Sequence, residues 1–196
     1  MIWGVGVGRC GTKSLADQMG GLHEPDDRFK HEAIDYHERG RVSLSLINEL
    51  ARRTAMDTPI VVDNKQSLVI RLISEIDEDA SFIWLLRSPI ESSVSIAKRG
   101  YWGQLPRCTP KVEGFFDLTH FRKCAMYWLY KNKLIERELE GLPYQVIFTN
   151  SLRVKANKSI GSKAVYHEED MLWIGENIIP QWEKWKECYD TSLSPA

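Results

Sequence analysis

The stretch GVGVGRCGTKS, residues 4–14, limits the folds open to this chain more than any other. The run Ile2–Val7 reads as an apolar strand, Gly8–Gly11 as a turn, and TKSLADQM as the opening of a helix. A strand, a glycine-rich turn and a helix start, in that order, gather backbone N–H groups around one point. The positive end of the helix dipole adds to them, so the segment is suited to a phosphate or a similar oxyanion. A plain glycine-rich connector is the alternative.

The rest of the chain fits the architecture that such a unit implies. Further strands are expected at Pro59–Asp63, Ser81–Leu86, Tyr144–Thr149 and Lys163–His167. PIVVD and SFIWLL are short and almost wholly apolar, as strands buried on both faces are. Between them QSLVIRLISEIDED carries Leu68, Leu72, Ile73 and Ile76 at helical spacing, the pattern of a crossover helix. A long helix is expected over about Leu118–Glu140, with Phe121, Cys124, Ala125, Trp128, Ile135 and Leu139 inward and Gly141 and Pro143 ending it. Residues 100–117 read as a long loop, and the tail from Met171 as helix broken near Pro180. Strands alternating with helices predict an α/β chain: a P-loop-like three-layer fold with a largely parallel central sheet flanked by helices. With 196 residues and no linker, one domain over 1–196 is expected.

Composition excludes some functions. The 26 basic and 27 acidic residues leave a formal charge of −1, which argues against broad binding to nucleic acid or a membrane surface. Cys10, Cys108, Cys124 and Cys188 form no close pairs, so neither a zinc site nor a disulfide framework is expected, and reduced thiols in a cytoplasm fit best. No apolar run approaches the roughly 18 residues of a membrane span. The opening MIWGVGVG has no basic flank or cleavage site, and no export signal is expected. No metal site is expected.

The glycine loop can be tested against known anion-binding patterns. The triphosphatase pattern G-x-x-x-x-G-K-[ST] needs lysine directly after the second glycine. Gly6 and Gly11 have that spacing, but Thr12 intervenes and the lysine comes one place late, at Lys13. A helix turns about 100° per residue, so the slip aims the side chain elsewhere. The dinucleotide fingerprint is met by Gly6, Gly8 and Gly11, yet the acidic residue expected about twenty positions on, at the end of a second strand, falls in a stretch that reads as loop and helix. GRCGTKSL instead resembles the sulfotransferase loop that grips the 5′-phosphosulfate of 3′-phosphoadenosine 5′-phosphosulfate, with Arg9, Gly11, Thr12 and Ser14 on its pattern.

A second motif strengthens the resemblance. LLRSPIESSVSIAKR, residues 85–99, is similar to the sulfotransferase R-[DN]-P-x-[DE]-x-x-x-S, with Arg87, Pro89, Glu91 and Ser95 in place and Ser88 departing from it. Arginine offers a fork of donors, Pro89 suits a helix start, and Ser95 lies two helical turns up. The resemblance implies that Arg87 and Ser95 hold the 3′-phosphate, and that Arg9, Cys10, Gly11, Thr12, Lys13 and Ser14 hold the 5′ side. VVDNKQS places Lys65 where family members carry a strand-end lysine, implying contact with the bridging or sulfonyl oxygens; Gln66 replaces the usual hydroxyl. VYHEEDM looks like a late Tyr-Glu-Asp-Leu element of structural role, and SIGSK, residues 159–163, is a weak match to a basic-glycine segment.

What the resemblance implies is transfer of a sulfonyl group from 3′-phosphoadenosine 5′-phosphosulfate to a hydroxyl or amine of a small-molecule or glycan acceptor. Negative charge grows on the oxygen left with the 5′-phosphate, and Arg9, Lys65 and the loop N–H groups suit its stabilisation. The acceptor must lose a proton. GLHEPDD follows the first helix and is expected to return over the donor's sulfonyl end, and Pro25 favours an extended Glu24 whose side chain projects away from the helix. Glu24 is the expected base, with His23 and Asp63 as alternatives. Two competing functions share these residues: a small P-loop nucleotide kinase with Asp63 as its magnesium-holding acid, and a non-catalytic phosphoadenosine-binding module.

Overall fold

The computed structural model describes residues 1–25, 27–98, 110–149 and 166–189. These group into two compact units: Met1–Leu86 with Lys131–Val154, and Arg87–Tyr130 with Lys155–Ala196. Neither is a continuous stretch of sequence.

The first unit is built on five parallel strands, β1 (Ile2–Gly6), β2 (Leu22–His23), β3 (Ile60–Val62), β4 (Ser81–Leu86) and β5 (Tyr144–Phe148), in the order β2-β3-β1-β4-β5. The α/β architecture expected from the sequence is therefore present, and β4 keeps the predicted bounds. Pairing runs Ile2↔Ile60 and Gly4↔Val62 on one side of β1, and Gly4↔Ile83 and Gly6↔Leu85 on the other. The helices of this unit are α1 (Thr12–Met19), α2 (Asp27–Arg39), α3 (Leu44–Thr54), α4 (Ile70–Ile76) and the later half of α6 (His120–Leu139).

The step from β1 out to β2 runs opposite to every later step across the sheet. Right-handed crossovers therefore put α1 on one face and the other connecting helices on the opposite face. Packing agrees. Ile60, Val62, Ile83 and Leu85 bury one face under Leu15 and Ala16 of α1. From the other face Trp3 donates through Nε1 to Asp77 Oδ2 (2.8 Å) just beyond α4, and Trp84 to Asn132 Oδ1 (3.1 Å) on α6. These are the three layers.

The predicted crossover helix is interrupted. Gln66–Leu68 forms a 3₁₀ turn and α4 begins only at Ile70, because Val69 at φ −135° leaves the helical region. His23 belongs to β2 rather than to a loop, and the helix α3, started by Leu46 N–H on the Ser43 hydroxyl (3.0 Å), had no counterpart among the sequence expectations.

The second unit contains α5 (Pro89–Ala97), the first half of α6, α7 (Glu168–Asn177) and α8 (Ile179–Tyr189). Trp128 packs edge-on against Trp182 and Trp185, ring centres 6.0 and 5.6 Å apart. Asp170 accepts from Thr119 Oγ1 (2.9 Å) and Arg122 Nε (2.8 Å) and, through Oδ2, from His167 N–H at the start of α7 (3.1 Å). The tail breaks between α7 and α8 at Ile178, with Pro180 in the first turn of α8. Of the expected fifth strand, Lys163–Val165 lie outside the described residues, and Tyr166 and His167 lie outside any strand. Residues 100–109 and SIGSK also fall outside them. No helix among the described residues is long and apolar enough to cross a membrane.

Candidate anion-binding site

β1 is the central strand, and its two neighbours are both reached later in the chain, the arrangement in which open parallel sheets bind ligands beyond their C-terminal edge. The chain leaves β1 into the glycine loop. A Cβ on Gly6 would lie 2.5 Å from Cys10 Sγ, so only glycine lets the loop fold back onto the strand end. Arg9 (φ 76°) and Gly11 (φ 103°) are left-handed, and Cys10 between them is not. That alternation turns successive N–H groups to one side.

The hydrogen bonding shows which groups the loop offers. Cys10 N–H is taken by Val7 O (3.1 Å), and Leu15 N–H is the first of α1 to find its acceptor, Gly11 O (3.0 Å). Gly11 supplies no side-chain cap. The N–H groups of Gly11, Thr12, Lys13 and Ser14 accordingly have no acceptor among the described residues. Four consecutive donors at a helix start are the arrangement that suits an anion. Lys13 contributes through this N–H, since its side chain is exposed on α1.

Thr12, His23, Glu24 and Asn64 form a polar chain beside the loop. Thr12 Oγ1 and His23 Nε2 share a hydrogen bond of 3.0 Å, His23 Nε2 lies 3.9 Å from Glu24 Oε1, and Asn64 Nδ2 donates to the same oxygen. Glu24 Oε2 has no partner among the described residues. The extended backbone expected before Pro25 is not what Glu24 adopts: it is left-handed, φ 45°. Its N–H donates to Val62 O (2.9 Å) and its carboxylate is tied to Asn64, and together these hold the turn against the preference of a pre-proline residue. Arg9 and Glu24 are the two non-glycine residues with positive φ among those described.

Beyond β3, Asp63 is buried and accepts from Arg53 Nη1 (3.1 Å) and from Lys65 N–H (2.8 Å). Arg53, wholly buried over the Phe29 ring, also donates to Glu49 (2.8 Å). Burial pushes the Glu49 carboxyl up, but hydrogen bonds from Arg52 and Arg53 outweigh it and hold it below its usual range. Asp63 is thus occupied structurally and poorly placed to serve as base or to hold a cation. Gln66 is fully buried, its Oε1 accepting from Asp63 N–H (3.2 Å), so it does not replace a ligand-facing hydroxyl. Half-buried Lys65 sits in the turn between them.

In the second unit, Arg87 donates from Nε to Glu91 Oε2 (3.1 Å), and its carbonyl accepts from Trp128 Nε1 (3.1 Å). Arg87, Glu91 and Ser95 recur at four-residue intervals, one face of α5 and its entry, with Ser95 half-buried. Sequence reasoning placed Glu91 in the motif without a role; the helical spacing to Arg87 was the signal. Asn64 and Arg53, by contrast, carried no signal of their partners.

Comparison with protein-family models and with curated proteins finds no match.

Proposed function

We propose that this protein is a sulfotransferase that uses 3′-phosphoadenosine 5′-phosphosulfate. The observation that carries the reading is the set of four N–H groups at Gly11–Ser14 without an acceptor among the described residues, in a loop whose lysine is misplaced for a triphosphatase. The arginine–proline–serine motif after β4 supports it by resemblance.

The roles follow from charge and from the resemblance. The loop N–H groups and Arg9 receive the 5′-phosphosulfate, Lys65 the bridging or sulfonyl oxygens, and Arg87 and Ser95 the 3′-phosphate. The sulfur–oxygen bond to the 5′-phosphate breaks as the acceptor hydroxyl or amine bonds to sulfur. Its proton passes to Glu24, whose Oε2 has no partner among the described residues, and adenosine 3′,5′-bisphosphate leaves. A sulfonyl group carries less charge than a transferring phosphoryl group, so a magnesium clamp is less needed. The acceptor is a small molecule or glycan. The spacing of Cys10, Cys108, Cys124 and Cys188, without close pairs in the sequence, is what supports a cytoplasmic setting.

The test is transfer of label from sulfur-labelled donor to a panel of phenols, sugars and amines. Transfer that persists in excess EDTA is expected, with adenosine 3′,5′-bisphosphate raising the melting temperature without metal. Transfer that stops with EDTA and returns with magnesium would favour the kinase. Donor binding without transfer to any acceptor would leave the non-catalytic module.

A further inference from the structure

We propose that Thr149 is a positioning residue that sets the anion loop by holding one peptide plane. This rests on the reading of the loop as the donor's 5′ site. Thr149 follows β5 and is 4% exposed. Its hydroxyl lies 2.8 Å from two carbonyl oxygens, Cys10 O in the glycine loop and Leu86 O at the end of β4. One hydroxyl proton is therefore shared between the loop and the strand end.

The consequence lies in the peptide that joins Cys10 to Gly11. It is trans, so its C=O and N–H point in opposite directions across a rigid plane. With Cys10 O drawn inward to Thr149, Gly11 N–H is turned outward, as the first of the four donors without an acceptor among the described residues. Glycine at 11, left-handed at φ 103°, leaves this plane little local restraint of its own. The hydroxyl supplies that restraint from 139 residues away in the sequence. An aliphatic side chain of the same shape would fill the space and leave the peptide free to rotate.

Thr149→Val and Thr149→Ser separate the hydroxyl from the packing. Calorimetry with adenosine 3′,5′-bisphosphate and with pyrophosphate reads the loop, thermal melting reads the fold, and the amide resonance of Gly11 during the pyrophosphate titration reads the peptide itself. Thr149→Val is expected to weaken both ligands by roughly tenfold, as loss of one buried hydrogen bond implies, and to displace the Gly11 resonance before ligand is added. Thr149→Ser is expected to restore both to within about threefold. A Val variant that melts earlier but binds both ligands as the wild type does would reduce Thr149 to packing and overturn the proposal. If the wild type binds pyrophosphate but not the bisphosphate, the sulfotransferase reading falls while the role of Thr149 is still decided by the pyrophosphate arm. A wild type that binds neither ends both.

Discussion

Arg53 and Asp63 are joined in a buried ion pair, Nη1 to Oδ2 at 3.1 Å, at the C-terminal end of β3. Breaking such a pair from one side leaves an uncompensated buried charge and typically costs about 3–5 kcal/mol. Asp63→Asn should lower unfolding stability in urea by that order. Its transfer rate per folded molecule should stay within a few-fold of wild type. A stable Asn variant with no activity would return Asp63 to the chemistry.

Glu24 gives a prediction with two arms. Glu24→Gln keeps an acceptor for Asn64 but removes the base, so transfer should fall about 10²–10⁴-fold with bisphosphate binding nearly unchanged. Glu24→Gly removes the base and also the left-handed strain at φ 45°, which costs roughly 1–2 kcal/mol for a residue with a Cβ. The Gly variant should therefore be as inactive as Gln, and should melt higher than Glu24→Ala, which lacks the tie to Asn64 as Gly does but keeps the strain. Full activity in the Gln variant beside collapse in His23→Ala would move the base to His23.

The sequence was most readable where local signals agreed. Ile2–Gly6, the loop and α1 combine an apolar run, glycines and a helix start, while the buried face of α6 follows from the spacing of Phe121 to Leu139. β2 is two residues long, Leu22 and His23, and exists through its pairing with β3, so it has no period to detect. Arg53 looks like a surface residue of α3 until Asp63, ten positions on, buries it. Gln66, Asn64 and Thr149 have the same character: each is polar, and its role is set by a partner that local pattern cannot reveal. The loop's donors could be anticipated from glycine spacing, but the tie of Glu24 to Asn64 through one carboxylate oxygen could not.

Arg87 and Ser95 should discriminate donors by the 3′ group. Losing a charged hydrogen-bonding partner costs about 1.5–3 kcal/mol, which is roughly ten- to a hundredfold in affinity. Arg87→Ala should weaken adenosine 3′,5′-bisphosphate by that factor and scarcely alter adenosine 5′-phosphosulfate, which lacks the group. Because Glu91 holds Arg87 at 3.1 Å, Glu91→Gln should produce a smaller loss of the same kind. Equal losses for both ligands in calorimetry would remove Arg87 from the 3′ site.

The acid side of the stability curve should carry the signature of Asp170. Burial raises the carboxyl, but hydrogen bonds from His167 N–H, Thr119 and Arg122 together outweigh it, and it is held below its ordinary value. A carboxyl lowered in the folded state contributes stability that is fully present above its unfolded value, about pH 4, and is lost as pH falls through the folded one. At pH 7, Asp170→Asn should cost about 1.5–3 kcal/mol, the worth of hydrogen bonds to a charged group. Below pH 4 the gap between variant and wild type should narrow, because the wild-type carboxyl is then protonated as well. Urea midpoints measured at several values between pH 2 and 7 follow that gap. A gap that stays constant down to pH 2 would mean that the charge of Asp170 contributes nothing and that its hydrogen bonds act through geometry alone.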